Sequence, residues 1–231
     1  MLGVPHPTND PSLVSYHRPE LLRQLPALEM ANHCWCQLDT TFADSTGNLK
    51  SVKEKYLPQE PAEPRPAYES RLTRSTYAPI YRDSIRAYAG LLNRFQLVDA
   101  PQSLVASDQD VDLQGENIQS FWNRCDEKAL RDGGVYVMVD MTQENGEQNF
   151  LDEQNAGRRP YLIMIDRSNV INWSIDYTDG KERVQHATIR QFRQRSVPGS
   201  FGVVLDAVYH VLRPNLVETY RLEKQGREWV Q

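Results

Sequence analysis

The sequence predicts an α+β fold, with amphipathic helices first and a β-rich region after them. Apolar residues recur at three- and four-residue steps from Glu20 to about Phe42, from Tyr68 to Phe95, and again from Ile118 to Ala129. After Pro160 the pattern changes to short apolar or β-branched runs separated by turn residues. Helical and strand patterns are segregated along the chain and do not alternate, which argues against βαβ units and a parallel sheet.

The elements follow in order. Residues 1–19 hold four prolines, at positions 5, 7, 11 and 19, and read as an extended arm that would order against a partner. Residues 20–66 read as a helix and a proline-rich connector. Leu21, Leu22, Leu25, Leu28, Ala31, Trp35 and Leu38 mark the helix, which Pro26 either splits or restarts. "YLPQEPAEPRPAY" (56–68) carries four prolines and is expected to be exposed and non-helical. From 67 to 231 the chain reads as one α+β region. Its longest periodic stretch, Tyr68 to Phe95, puts Tyr77, Ile80, Tyr81, Ile85, Tyr88, Leu91, Leu92 and Phe95 on one face. Arg71, Arg74, Arg82 and Arg86 fall on the roughly opposite face, and Pro79 should kink this helix or begin a new one. A polar stretch (99–117) precedes a helix carrying Ile118, Phe121, Trp122, Cys125 and Ala129, which Gly133-Gly134 would stop. "VYVMVDM" (135–141) is a buried strand, followed by a long acidic loop. Strands are expected at 161–165, 170–177, 182–193, 202–212 and 216–230, with hairpin turns at Asp179-Gly180 and Gln225-Gly226.

Composition narrows the function classes. The 231 residues are 39% hydrophobic and 25% charged, with a formal net charge of −5. No run approaches the roughly 18 apolar residues of a membrane span, and "LGVPHPTNDPS" after Met1 has no signal-peptide pattern, so a soluble protein made in the cytosol is expected. The acidic balance argues against tight nucleic-acid binding, which relies on a concentrated excess of Lys and Arg. Cys34, Cys36 and Cys125 form no disulfide framework. "HCWC" (33–36) lacks the second ligand pair of a structural zinc site, so reduced thiols are expected on a helix that buries Trp35. An enzyme would have to be built from Asp140, Asp166, Asp176, His186 and His210. Their spacing matches no metal, triad or phosphate-cradling motif, and strand-end aspartates ordinarily cap turns. "IDRSN" (165–169) has the composition of a turn.

One resemblance covers about Leu25 to Gly180 and, more loosely, the rest. The segments "YLP", "YESRLTRSTYAPIYRDSIRAYAGLLNRF", "DLQGENIQSFWNRCDEKALRDGGVYVMVDMT" and "RPYLIMIDRSNVINW" stand in this order. The order resembles a family of portal proteins of tailed phages, with "INW" after "RPYL" the most telling part. Family chains are considerably longer, with further strands and a long helix expected beyond residue 231. The resemblance implies a wing-like helix-plus-β region of a homo-oligomeric ring, a dodecamer in portals, at one capsid vertex. It further implies contacts with the major capsid protein, the terminase packaging motor and the neck or tail adaptor. Double-stranded DNA would pass through without sequence-specific binding. The implied location is the virion, and the host cytoplasm during assembly. No catalytic, cofactor or metal residues are implied. In such a ring the Arg71, Arg74, Arg82 and Arg86 stripe and the acidic 140–153 loop are candidates for the two halves of a head-to-tail contact; otherwise the stripe is a solvated face. Two rival readings are another neck or head-completion protein, and a metal-dependent nuclease on Asp140 and Asp166.

Overall fold

The computed structural model describes residues 10–43, 48–92, 98–99, 108–142, 157–196, 199, 202–225 and 228–230. The class is α+β, and every sheet whose pairing is given below is antiparallel. Contacts group the chain into two compact units: residues 27–164, and residues 1–26 with 165–231. This grouping cuts the chain in different places from the composition-based division at 19/20 and 66/67. Among the described residues no helix is long and apolar enough to cross a membrane.

The first helix, α1 (Pro19–Trp35), opens on proline, whose missing N–H costs nothing in a first turn, and carries Glu20 and His33 at the ends where the helix dipole favours them. It runs unbroken through Pro26. Within the unit of residues 27–164, a small antiparallel pair, β1 (Thr41–Ala43) and β2 (Leu49–Ser51), leads into the short helix α2 (Val52–Tyr56). Ser51 caps α2, its Oγ accepting from the Lys53 N–H at 3.3 Å, and Val52 is fully buried. Neither the pair nor α2 is foreshadowed by periodicity, because each is only three to five residues long.

The expected long helix is two helices, α3 (Arg65–Arg74) and α4 (Ile80–Leu92). Ser75 closes α3, its N–H and hydroxyl both donating to the Arg71 carbonyl, and Pro79 stands immediately before α4. Part of the proline-rich segment is therefore helical. Pro66 lies in the first turn of α3, where proline fits, so the expectation of a wholly non-helical 56–68 is corrected at 65–68, and at Tyr56, which ends α2.

α5 (Ile118–Asp132) is set by its caps. Asn117 Oδ1 accepts from the Ser120 N–H at 2.8 Å, and Gly133, at φ 73°, ends the helix in the left-handed region as expected. Its apolar face buries Ile118, Phe121 and Cys125 with Val111. Packed around this cluster are Trp122 and residues of β3 (Val135–Met141) and β4 (Pro160–Asp166), which form a two-stranded sheet.

The other unit is built on an antiparallel sheet in simple sequence order, β5 (Val170–Thr178), β6 (Lys181–Ser196), β7 (Val203–Arg213) and β8 (Leu216–Arg221). A turn of 3-10 helix (Arg167–Asn169) joins β4 to β5. The hairpin at Asp179-Gly180 has positive φ at both positions (55° and 72°), the backbone of a two-residue primed turn. Beyond β8 the chain forms a second hairpin, β9 (Glu223–Gln225) with β10 (Glu228–Val230), so the expected strand 216–230 is three.

One face of the sheet is covered by the chain's own start. Ser15 and His17 are 2% and 1% exposed, Val14 packs on the cluster of Ile171, Ala207, Tyr209 and Leu222, and the Arg18 N–H donates to the Ile171 carbonyl at 3.1 Å. Residues 10–18 are thus ordered against the same chain, a correction to the extended arm. Residues 1–9 lie outside the described residues.

Candidate functional site

Three contacts join residues of the segments singled out in the sequence. Tyr68, 2% exposed, donates its hydroxyl to the Leu57 carbonyl at 2.9 Å, and Arg71 donates to the Pro58 carbonyl at 3.0 Å. The Tyr-x-x-Arg segment therefore holds the Tyr-Leu-Pro segment. Arg71 also grips Glu63 through two bonds of 2.9 and 2.6 Å, which lowers the Glu63 carboxyl below the usual carboxylate range. A third contact, Tyr161 Oη to Asp140 Oδ2 at 3.1 Å, joins the Arg-Pro-Tyr segment to the Val-Asp strand. In "INW", Ile171 is fully buried, Asn172 meets His186 Nε2 at 3.2 Å, and Trp173 lies under the Arg18 guanidinium, 4.5 Å from its ring centroid.

The loop ahead of α5 shows why "DLQGEN" has its composition. Asp112 Oδ1 accepts from the Gln114 and Glu116 N–H groups, and Asp110 Oδ1 from the Gly115 N–H. Their other oxygens face cations: Arg159 reaches Asp110 at 2.6 Å, and Arg124 lies 3.8 Å from Asp112 and 2.5 Å from Glu116. This is a loop clamped between α5 and the start of β4. Reading 99–117 only as polar misses it; the signal was the aspartate at every second position followed by Gly115, an arrangement that serves backbone N–H groups.

The four arginines expected on one stripe lie on two helices, Arg71 and Arg74 on α3 and Arg82 and Arg86 on α4. Arg71 is held by Glu63. Arg82 meets Gln37 and lies 3.7 Å from Asp83. Arg86 stacks over Trp35, 5.4 Å from the ring centroid, and Arg131 of α5 lies 5.5 Å from the same ring. Arg74 is exposed and donates to the Ser70 carbonyl of its own helix. Of the acidic 140–153 loop, residues 143–153 lie outside the described residues.

Cys34 and Cys36 are free and half-buried. Cys34 bonds the Tyr77 phenol; that bond, then burial, pushes Tyr77 up to about 12. His33 Nδ1 lies 2.9 Å from the Tyr56 hydroxyl. Trp35, expected to be buried, is half-buried between its arginines. Among the described residues no group of three His, Cys, Asp or Glu side chains could hold a metal ion.

Of the candidate enzyme residues, the two histidines do not face each other. His186 and His210 belong to adjacent strands, but the β6–β7 register (Thr188 opposite Val211, Ile189 opposite His210) puts them on opposite faces of the sheet. His210 lies within 3.1 and 3.2 Å of Thr219 and Gln191. Asp176 and Asp140 accept from the N–H of the following residue, which is turn and strand-end chemistry. Asp166 precedes the 3-10 turn, where "IDRSN" was expected to turn the chain.

Two clusters escaped the sequence. On the covered face of the sheet His17, Arg190 and Tyr209 come together, with Nε2, Nε and Oη respectively buried and without a hydrogen-bond partner among the described residues. On the other face Arg193, Arg195 and Arg221 surround Asp206. "RQFRQRS" (190–196) holds the signal for both, since alternate residues of a strand serve opposite faces.

No family model and no curated protein matches this chain.

Proposed function

We propose that this chain is a subunit of a portal ring of a tailed phage, a structural conduit for DNA packaging and ejection at one capsid vertex. The observation that carries the reading is the mutual contact of the motif residues: Tyr68 on Leu57, Arg71 on Pro58, Tyr161 on Asp140. These motif residues hold one another in the framework. That pattern suits a protein whose product is a shape. A conduit also has to let duplex DNA slide, and each phosphate contact would add affinity and slow it. A chain of net charge −5 suits that requirement.

In this reading the protein is no hydrolase, and its partners are further copies of itself, the major capsid protein, the packaging motor and the neck or tail adaptor. Arg74 is the member of the arginine set best placed for a neighbouring subunit, since Arg71, Arg82 and Arg86 serve contacts within the chain. Light scattering after size exclusion, with negative-stain imaging, tests the reading: rings are expected. A monomer at all concentrations, or Mg²⁺-dependent DNA cleavage abolished by Asp140→Ala, would overturn it.

A further inference from the structure

The β6–β7 hairpin is longer than the sheet that holds it. β5 pairs with β6 only as far as Ile189, and β8 pairs with β7 only as far as Val208. Beyond those points Gln191–Ser196 and Val203–Ala207 pair only with each other among the described residues. Among the described residues they form a two-stranded ribbon with no further strand paired to either outer edge.

The two faces of the ribbon differ. The register puts Arg193 and Arg195 on the same face as Asp206, joined there by Arg221 from β8. All three arginines are exposed. Among the described residues only Arg195 has a carboxylate at bonding distance, Asp206 at 2.6 Å. Among them three guanidiniums lie on the face of one carboxylate. The opposite face carries Phe192, Val203 and Leu205, exposed by 40%, 61% and 49%. Open strand edges and exposed apolar side chains are features that chains ordinarily suppress unless something covers them.

Charge is divided between the two units in a way that names the cover. The unit holding the ribbon has 12 Lys and Arg against 10 Asp and Glu, whereas residues 27–164 have 14 against 21. We propose that the Gln191–Ser196/Val203–Ala207 ribbon is an arm that docks on the acidic 27–164 unit of a neighbouring copy of the same chain. The arginine face supplies orientation and association rate, and Phe192, Val203 and Leu205 supply the burial. A contact between unlike surfaces is head-to-tail, and repeated it closes a ring. The proposal rests on the ring reading and adds to it an interface distinct from the α3 and α4 arginines.

The test compares the wild-type chain with Arg193→Glu/Arg195→Glu, following assembly against protein concentration by light scattering. The reversal is expected to raise the concentration for half-assembly at least tenfold with an unchanged circular dichroism spectrum, and high salt is expected to do the same to the wild type. A photo-crosslinker at Gln194 in the otherwise wild-type chain, mixed with isotopically labelled subunits, is expected to capture peptides from residues 27–164 of the other copy. Crosslinks confined to residues 165–231, or a double variant assembling like the wild type, would overturn the arm and leave the ring reading standing. A wild type that never assembles would overturn both. Binding of labelled duplex DNA lost in the double variant, with assembly unchanged, would also overturn the arm and make this face a nucleic-acid surface.

Discussion

His17 sits where a charge is hardest to carry. Its Nδ1 lies 2.8 Å from the Ser15 carbonyl, an acceptor, so that nitrogen holds the proton and Nε2 is left as an unmatched acceptor. Burial, and then the Arg190 guanidinium facing it, push the imidazole below its ordinary 6.5; Tyr209 is the other ionisable group of the cluster. The folded chain thus binds fewer protons here than the unfolded chain. The stability contributed by neutral His17 is fully present above about pH 6.5 and is lost as the pH falls below it towards the folded value. His186 and His210 shift the same way. Urea midpoints should therefore decline from pH 7.5 to 5, and more shallowly in His17→Asn, which keeps a donor for Ser15 and cannot titrate. An equal decline in both proteins would refute this assignment. Tyr68 offers a second single-residue test. Tyr68→Phe removes only the hydroxyl on the Leu57 carbonyl and should cost about 0.5–1.5 kcal/mol in denaturant titrations.

At the level of elements, ends decide more than interiors. Asn117 is the side chain that closes the first turn of α5, so Asn117→Ala should cost about 1 kcal/mol. Gly180, at φ 72°, sits where a Cβ is strained although nothing crowds it; Gly180→Ala should cost a similar ~1 kcal/mol through the turn alone. Thermal melts of the two variants and their double mutant should be additive, because the sites belong to separate units. The same distinction explains what was legible in the sequence. α5, its stop at Gly133 and β3 as a strand are readable because their signals are local: periodicity, a helix-ending glycine and a β-branched run. The Asn117 cap is not singled out by them, and β3, with Val139 65% exposed, is not the buried strand expected. β1, β2 and α2 are too short to show a period. The Tyr68–Phe95 stretch reads as one helix because α3 and α4 happen to keep the phase across residues 75–79, and Pro79 alone marks the boundary. Of the candidate surface, the arginines of α3 and α4 were visible as a stripe, but their use by Glu63, Gln37 and Trp35 depends on chain neighbours that no spacing reveals. The basic face of β6 needed the register with β7 and β8 before Arg221 and Asp206 could join it.

For the whole molecule, the decisive feature is that one of the two units is made from both ends of the chain. Val14, Ser15 and His17 lie over the cluster of Ile171, Ala207 and Tyr209, so the start of the chain is part of that unit's interior. Deleting residues 1–18 should bare this face, lower the thermal midpoint and admit a hydrophobic dye. The Phe121 core of residues 27–164 should keep its near-native hydrogen-exchange protection. A deletion variant that melts like the full chain would show that residues 10–18 contribute nothing to the sheet.

That closure also imposes a schedule on synthesis. His17 leaves the ribosome 192 residues ahead of Tyr209; at roughly 5–20 residues per second it waits ~10–40 s for the strand it will lie against. Residues 27–164 are contiguous and complete their own core within that interval. The nascent chain therefore carries one finished body and one unclaimed tail until β7 emerges.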